Sequence, residues 1–356
     1  MENLNKTDQI PDGTESEVQA RKLPLYKRAM RTKAFPLLVL FAVMLIVFSF
    51  LPQMLVHPGV RFFQQRVFWI ILQDIAVPGL LTIGVGLLIV SGGIDLSTGA
   101  VGSLAGVILA TGVAWRDWHW VVAIIVALVV ASLMGLINAI IINELKLMPF
   151  VVTFSMTTVV TSISQFLSIN EVGTVLFSVN YTHATLRTIG RHTIGNNIPT
   201  ISLFVVALFI IYGIALAKSK FGRTLYLMGG NRAASRLAGI NEKRISYFLF
   251  INCSFFAGLA GLVNAMRTGL GGAQVLLGDQ FTGIIAAILG GISFGGGSGG
   301  LGGAFLGLVV IRTFGMGTQM SGITAYINAP ASGALLLLAL TFDYFNIKAQ
   351  NKRVGA

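Results

Sequence analysis

The chain has 356 residues, 54% of them apolar and only 11% charged, with a net charge of +12. Soluble domains carry about 25% charged residues, so an ordinary water-soluble fold is excluded. Apolar runs of bilayer length recur from residue 35 almost to the C-terminus, and they are continuous rather than alternating, which leaves a helical membrane protein and argues against a β-barrel.

The positive charge does not read as nucleic-acid binding. Lys and Arg gather in three blocks, 21–33, 218–244 and 348–353, each flanking apolar runs. That is the pattern of cytoplasmic segments. The single Cys253 excludes an intrachain disulfide and reads as a small buried packing residue.

In chain order, residues 1–34 form a polar and basic tail. The run at 35–55 resembles a signal peptide, but it is long and no A-x-A-like site follows, so it reads as an uncleaved first span. Nine further segments follow at 68–90, 96–115, 119–143, 150–169, 200–217, 246–267, 281–292, 301–319 and 325–345. Ten crossings keep all three basic blocks on one side. The expected fold is an all-α integral membrane protein, a bundle of about ten transmembrane or re-entrant helices spanning 35–345. The tails 1–34 and 346–356 and the loop 218–245 are cytoplasmic in this scheme. The connection 170–199 falls outside. It has no Lys and two Arg, and reads as a hydrated loop that could meet an external partner or simply be solvated.

The loop 218–245 is a basic island between apolar runs. Gly229 and Gly230 free the backbone, and Asn231 can cap a short helix by accepting a backbone N–H. Ala234, Leu237 and Ala238 share one face of that helix, and Gly239 stops it in a left-handed conformation. A short helix there is placed to touch a cytoplasmic partner.

Glycine is in excess, at 42 residues, and concentrates in two stretches, 91–106 and 290–307. At an offset of 198 they align: Gly92, Gly93 and Ile94 with Gly290, Gly291 and Ile292, Gly99 with Gly297, and Gly102 with Gly300. This reads as a degenerate internal repeat with an interrupted helix in each half, a common transporter plan. Two independent small-residue packing surfaces are the alternative.

An ionisable residue at mid-membrane costs at least ~2.5–3.5 kcal/mol, so each needs an account. Asp95, with Ser97, sits in the first Gly-rich break, where its carboxylate can cap the next helix or line a pathway. Gln73 and Asp74 read as a solvated helix end, and Arg267 and Asp279 as interfacial. Arg312 falls mid-segment and could pair with a carboxylate, face a cavity or snorkel. Asn138, Asn143, Asn252 and Asn264 could face a cavity or bond neighbouring helices. There is no Walker A loop, no H-E-x-x-H or clustered His and Cys for a metal, and no G-x-S-x-G elbow, so no enzyme is expected.

These stretches carry a resemblance. SGGIDLSTGAVGSLAGV (91–107) resembles the signature of the permease subunits of bacterial sugar ABC importers of the ribose type. GRTLYLMGGNRAASRLAGI (222–240) is similar to that family's ATPase-docking loop, and AAILGGISFGGGSGGLGGAFLGLVV (286–310) to its C-terminal signature. The likeness covers most of 68–345. Branched-chain amino acid permeases share some of the Gly pattern, but GGIDLS favours the sugar group. Asp74 and Arg312 depart from it, being charged where neutral residues are expected.

The resemblance implies a permease for a monosaccharide or small polyol, in the bacterial inner membrane. It has no cofactor of its own, ATP-Mg binding to a partner ATPase. A periplasmic binding protein would supply and select the solute, and a second permease copy or homologue would complete the path. Gly229, Gly230, Asn231, Ala234, Arg236 and Gly239 would form the coupling helix and its boundaries. Asp95, Ser97, Asn138 and Arg312 are the candidates for the pathway and helix break. An ion-coupled secondary transporter is the rival reading, and of its required mid-membrane carboxylates only Asp95 qualifies well.

Overall fold

The structure is a computed structural model that describes residues 35–323 apart from 57, 58, 60 and 196, together with 330, 333, 334 and 341. Eight of the described helices are long and apolar enough to cross a membrane: α1 (Phe35–Leu55), α2 (Gln65–Val90), α3 (Thr98–Trp115), α4 (Trp120–Glu144), α5 (Pro149–Leu167), α7 (Thr200–Lys218), α10 (Glu242–Thr268) and α12 (Leu301–Met320). Between them lie α6 (Ala184–Arg191), α8 (Lys220–Gly230), α9 (Arg232–Leu237) and α11 (Leu277–Leu289), with short strands β1 (Ser178–Asn180), β2 (Thr193–Ile194), β3 (Ile198–Pro199) and β4 (Leu270–Gly272). The all-α membrane bundle expected from the sequence is therefore observed. The tenth expected segment, 325–345, falls almost entirely outside the described residues, and the tails 1–34 and 346–356 fall wholly outside them. α11 has 13 residues, about 20 Å at helical rise, too short for a ~30 Å hydrocarbon core.

The centre of the bundle is α2, α3 and α10. Their close approach follows from small residues, because membrane helices gain little from hydrophobicity and pack where backbones can meet. Gly102 and Gly106 of α3 face the backbone of Ala257 and Gly261 on α10, and Gly84 of α2 faces Cys253. Around this centre α1, α4, α5 and α7 present apolar side chains outward, such as Val122, Ile125 and Val129 on α4. Cys253 is buried, as its apolar setting predicts.

The connection 170–199 is not the plain solvated loop its polarity suggests. β1 pairs antiparallel with β4, placing Val179 opposite Gly271, and β2 pairs with β3. α6 turns Leu186 and Gly190, four positions apart, onto one face. Leu186 is fully buried, and Gly190 lies so close to the Met266 backbone that a side chain there would overlap it. The segment is a small folded cap on the end of α10, and its apolar spacing is the signal for it.

Candidate functional site

Both Gly-rich stretches are helix breaks. α2 ends with Gly92 in a left-handed conformation (φ +81), its amide donating to Ile89 O at 2.8 Å while Gly93 N donates to Leu88 O at 2.9 Å. Paired bonds of this kind close a helix end. The chain then runs without helical bonds to α3, and inside a membrane protein such backbone must find partners in the protein. α5 supplies them: Thr153 Oγ1 accepts from Leu96 N at 3.1 Å, and Thr157 Oγ1 donates to Leu96 O at 2.8 Å. Asp95 Oδ1 accepts from Ser97 N at 2.8 Å and Ser97 Oγ at 2.6 Å, and Asn138 Nδ2 of α4 donates to Ser97 Oγ at 2.9 Å. Asp95, Ser97 and Asn138 are thus brought together at 0% exposure. The arrangement is a buried polar cluster just before α3 rather than a cap on it: Asp95 does not reach the helix amides, and Gly99 N donates instead to Gln280 Oε1 of α11 at 3.0 Å.

The second break follows α11. Gly291 is left-handed (φ +94), its amide donates to Ile288 O at 2.9 Å, and Ile292 N donates to Ala287 O at 3.0 Å. Gly291 is therefore the counterpart of Gly92, and the structural offset is 199 rather than 198. The second break, 290–300, is also four residues longer than the first, 91–97. Gly99 and Gly297, matched by sequence, are not equivalent: one opens α3 and the other lies inside the break. The two breaks touch, because Gly297 N donates to Val90 O at 2.8 Å.

The basic island lies against this junction. Ser219 Oγ accepts from Gly222 N at 3.0 Å and starts α8 immediately after α7. Gly229 and Gly230 are the last residues of α8, and neither has positive φ. Gly229 serves proximity rather than backbone freedom, since a side chain there would overlap Val90 O and Gly297 N. Tyr226 Oη donates to Gly299 O at 2.7 Å, and burial raises its phenol above the ordinary 10.0. Asn231 then caps α9, its Oδ1 accepting from Ala234 N at 3.0 Å, and Gly239 ends the turn with φ +72.

α9 is also tied to the start of α10. Glu242 accepts from Ser235 Oγ at 2.7 Å and pairs with Arg236 Nε at 3.3 Å. Next to it, Lys243 and Tyr247 both bond Glu144 at the end of α4. Ala234 and Ala238 are exposed, and Leu237 is 91% exposed, an apolar tip on a basic surface.

Arg312 does not join the Asp95 cluster. It pairs with Asp279, while Arg267 pairs with Asp74 at 3.4 Å. Asp74 keeps a half-exposed side chain, and the two pairings are what the separate solvated and interfacial readings of Asp74, Arg267 and Asp279 omitted. All four line one crevice, brought together by packing of α2, α10, α11 and α12 that no local pattern reveals. Asn143 bonds Ser246 across helices at 3.0 Å, whereas Asn264 opens into the same crevice as the charge pairs.

Residues 68–342 match the family described as branched-chain amino acid transport system / permease component. The chain belongs to this family of transport permeases. The permease is 26% identical over 283 residues to the ribose import permease of Escherichia coli, covering 80% of this chain and 87% of that one. To the ribose import permease of Haemophilus influenzae it is 30% identical over 278 residues, covering 77% and 84%. To the fructose import permease of Rhizobium meliloti it is 28% identical over 287 residues, covering 80% and 79%. These relatives bear out the resemblance to the sugar-importer group. No solved structure matches the chain. In the permease, the partners that sequence reading missed are Val90, Thr153, Thr157, Tyr226 and Gly299. The hydroxyl spacing of α5 is the one local hint among them.

Proposed function

We propose that the chain is the membrane-spanning subunit of an importer for a monosaccharide or related small polyol. ATP is hydrolysed in a separate subunit, and a periplasmic binding protein delivers and selects the solute. A second permease copy or a homologue completes the path. The α8–α9 end faces the cytoplasm and the folded cap around α6 faces the periplasm. The names of the relatives support the solute class.

The observation that carries this reading is the unbroken contact from an exposed knob to both helix breaks. Leu237 and the alanines beside it offer an apolar surface to a partner. Asn231 links α9 to α8, and Gly229 of α8 bears directly on Val90 and Gly297. A partner that closes on ATP and moves α9 therefore moves both breaks, because no side chain intervenes to absorb the shift. The ties of α9 to Glu242, and of Lys243 and Tyr247 to Glu144, pass the same movement to α10 and α4.

The test is uptake of radiolabelled ribose, fructose and allose into liposomes that hold the permease with its genomically adjacent ATPase, with the binding protein added outside. Uptake that needs ATP and all three components is expected. Uptake that follows an ion gradient without ATP, or an ATPase that never associates with the permease, would overturn the reading.

A further inference from the structure

At the opposite half of the bundle from α9, a crevice of about 450 Å³ opens between α2, α10, α11 and α12. Its volume falls within the ~300–1,000 Å³ of small-molecule sites. Two charge pairs line it, Asp74 with Arg267 and Asp279 with Arg312. Arg267 also donates to Gln73 O at 3.0 Å. The side-chain amide of Asn264 opens into the same space with no hydrogen bond among the described residues, and Arg312 Nε is buried without a partner.

We propose that this crevice is a low-affinity subsite for a neutral, hydroxyl-rich solute, an aldose or ketose, contacted by Asp74, Asn264, Arg267, Asp279 and Arg312. The proposal rests on the permease reading above and adds the place where the chain meets its solute.

Charged side chains of membrane proteins face a cavity or one another, and these four, drawn from α2, α10, α11 and α12, do both. Their chemistry suits hydroxyl groups: carboxylates accept, guanidinium groups donate in a planar fork, and an amide does either. Each carboxylate is paired with one of the three guanidinium groups of the lining, so the paired walls offer donors and acceptors together, as a hydroxyl-rich solute needs. Arg191 at the rim donates its Nε to Arg267 O at 2.6 Å. Position supports the same conclusion. Asp74 lies 16 residues before Val90 on α2, about 24 Å along the helix, and α11 leads from Asp279 into the second break. The crevice and both breaks therefore share helices, so a solute seated there bears on the elements that α8 grips.

The test uses the full-length chain in detergent micelles, with Cys253→Ala as background and Asn264→Cys as the reporter. Its modification by a charged methanethiosulfonate should slow several-fold with ribose, fructose or allose and not with glutamate or choline. Adding the neutral pair Asp279→Asn with Arg312→Gln should abolish the protection. The charge-swapped pair, Asp279→Arg with Arg312→Asp, returns a carboxylate and a guanidinium group to the crevice and should regain part of the protection; full protection in a neutral-pair variant that elutes as a folded protein would overturn the proposal. If Asn264→Cys does not fold, Thr268→Cys at the exposed edge of the crevice serves as reporter. Equal labelling with and without every sugar overturns the proposal. The permease reading still stands if the reconstituted system then shows ATP-dependent uptake. Protection without such uptake sustains the crevice and counts against the importer reading.

Discussion

The amide of Gly297 donates to the carbonyl of Val90 at 2.8 Å, so one hydrogen bond joins two helix breaks that lie about 200 residues apart in the chain. Gly229 is seated on both of its ends. This three-way contact is where the basic island and the repeat become one device.

Gly229→Ala should therefore destabilise, and Gly230→Ala should not. The first puts a methyl group into backbone atoms of both breaks. The second meets only Gly297 Cα at 3.9 Å. Overpacking of this kind costs about 1–3 kcal/mol, whereas an open surface site stays within about ±0.5 kcal/mol. Thermal unfolding in detergent measures both, and equal midpoints would remove the contact from the argument for coupling.

Gly239→Val tests the end of α9 differently. Nothing lies within 4 Å of a Cβ there, so the cost comes only from φ +72, a conformation that costs L-residues about 1–2 kcal/mol. ATP hydrolysis by the assembled complex should persist while solute uptake falls, with membrane insertion unchanged. Gly239→Asn, which tolerates this conformation, should retain uptake. Full uptake by the valine variant would count against a coupling role.

Asp95→Ala leaves Ser97 N and Oγ without their acceptor in a site of 0% exposure. An unsatisfied buried group costs about 1–3 kcal/mol, so the yield of folded protein should drop. Asp95→Asn keeps an acceptor oxygen and should recover most of it. Gel filtration of the two variants distinguishes this acceptor from a residue whose charge itself is needed, for which both would behave alike.

Tyr226→Phe removes the bond to Gly299 O, a loss of about 0.5–1.5 kcal/mol. Burial raises the folded-state phenol above 10.0, so the proton is held more tightly in the folded state than in the unfolded one. The stabilisation is then fully present below pH 10 and is lost as pH rises past it. The gap in unfolding midpoint between wild type and Tyr226→Phe should narrow only in that alkaline window. A constant gap through it would show that the hydroxyl bond is not its origin.

The order of helices, the cap at Asn231 and the stop at Gly239 were legible because hydrophobic run length and capping chemistry are local. Asp95 was legible as part of the first break, whereas the bond that takes up the Gly99 amide of α3, from Gln280, was hidden by 181 residues of chain. What the chain order hides is which helices meet. Asp74 reads as a solvated end until α10 brings Arg267 to it, and Gly229 reads as a flexible joint until Val90 and Gly297 close on it. The repeat was visible but slipped by one position. Runs of identical glycines align in several registers, and only the left-handed residues Gly92 and Gly291 fix the true one.

Besides Gly291, the second turn contains three left-handed glycines, Gly296, Gly297 and Gly299. The first two stand close against the backbone of Gly92 and of Gly230, and the third against that of Ile292. Those positions are closed to every amino acid that bears a side chain. The first turn is secured differently, by hydroxyl and amide side chains of α4 and α5 that grip Leu96 and Ser97, so it is the turn that a single polar substitution can unfasten.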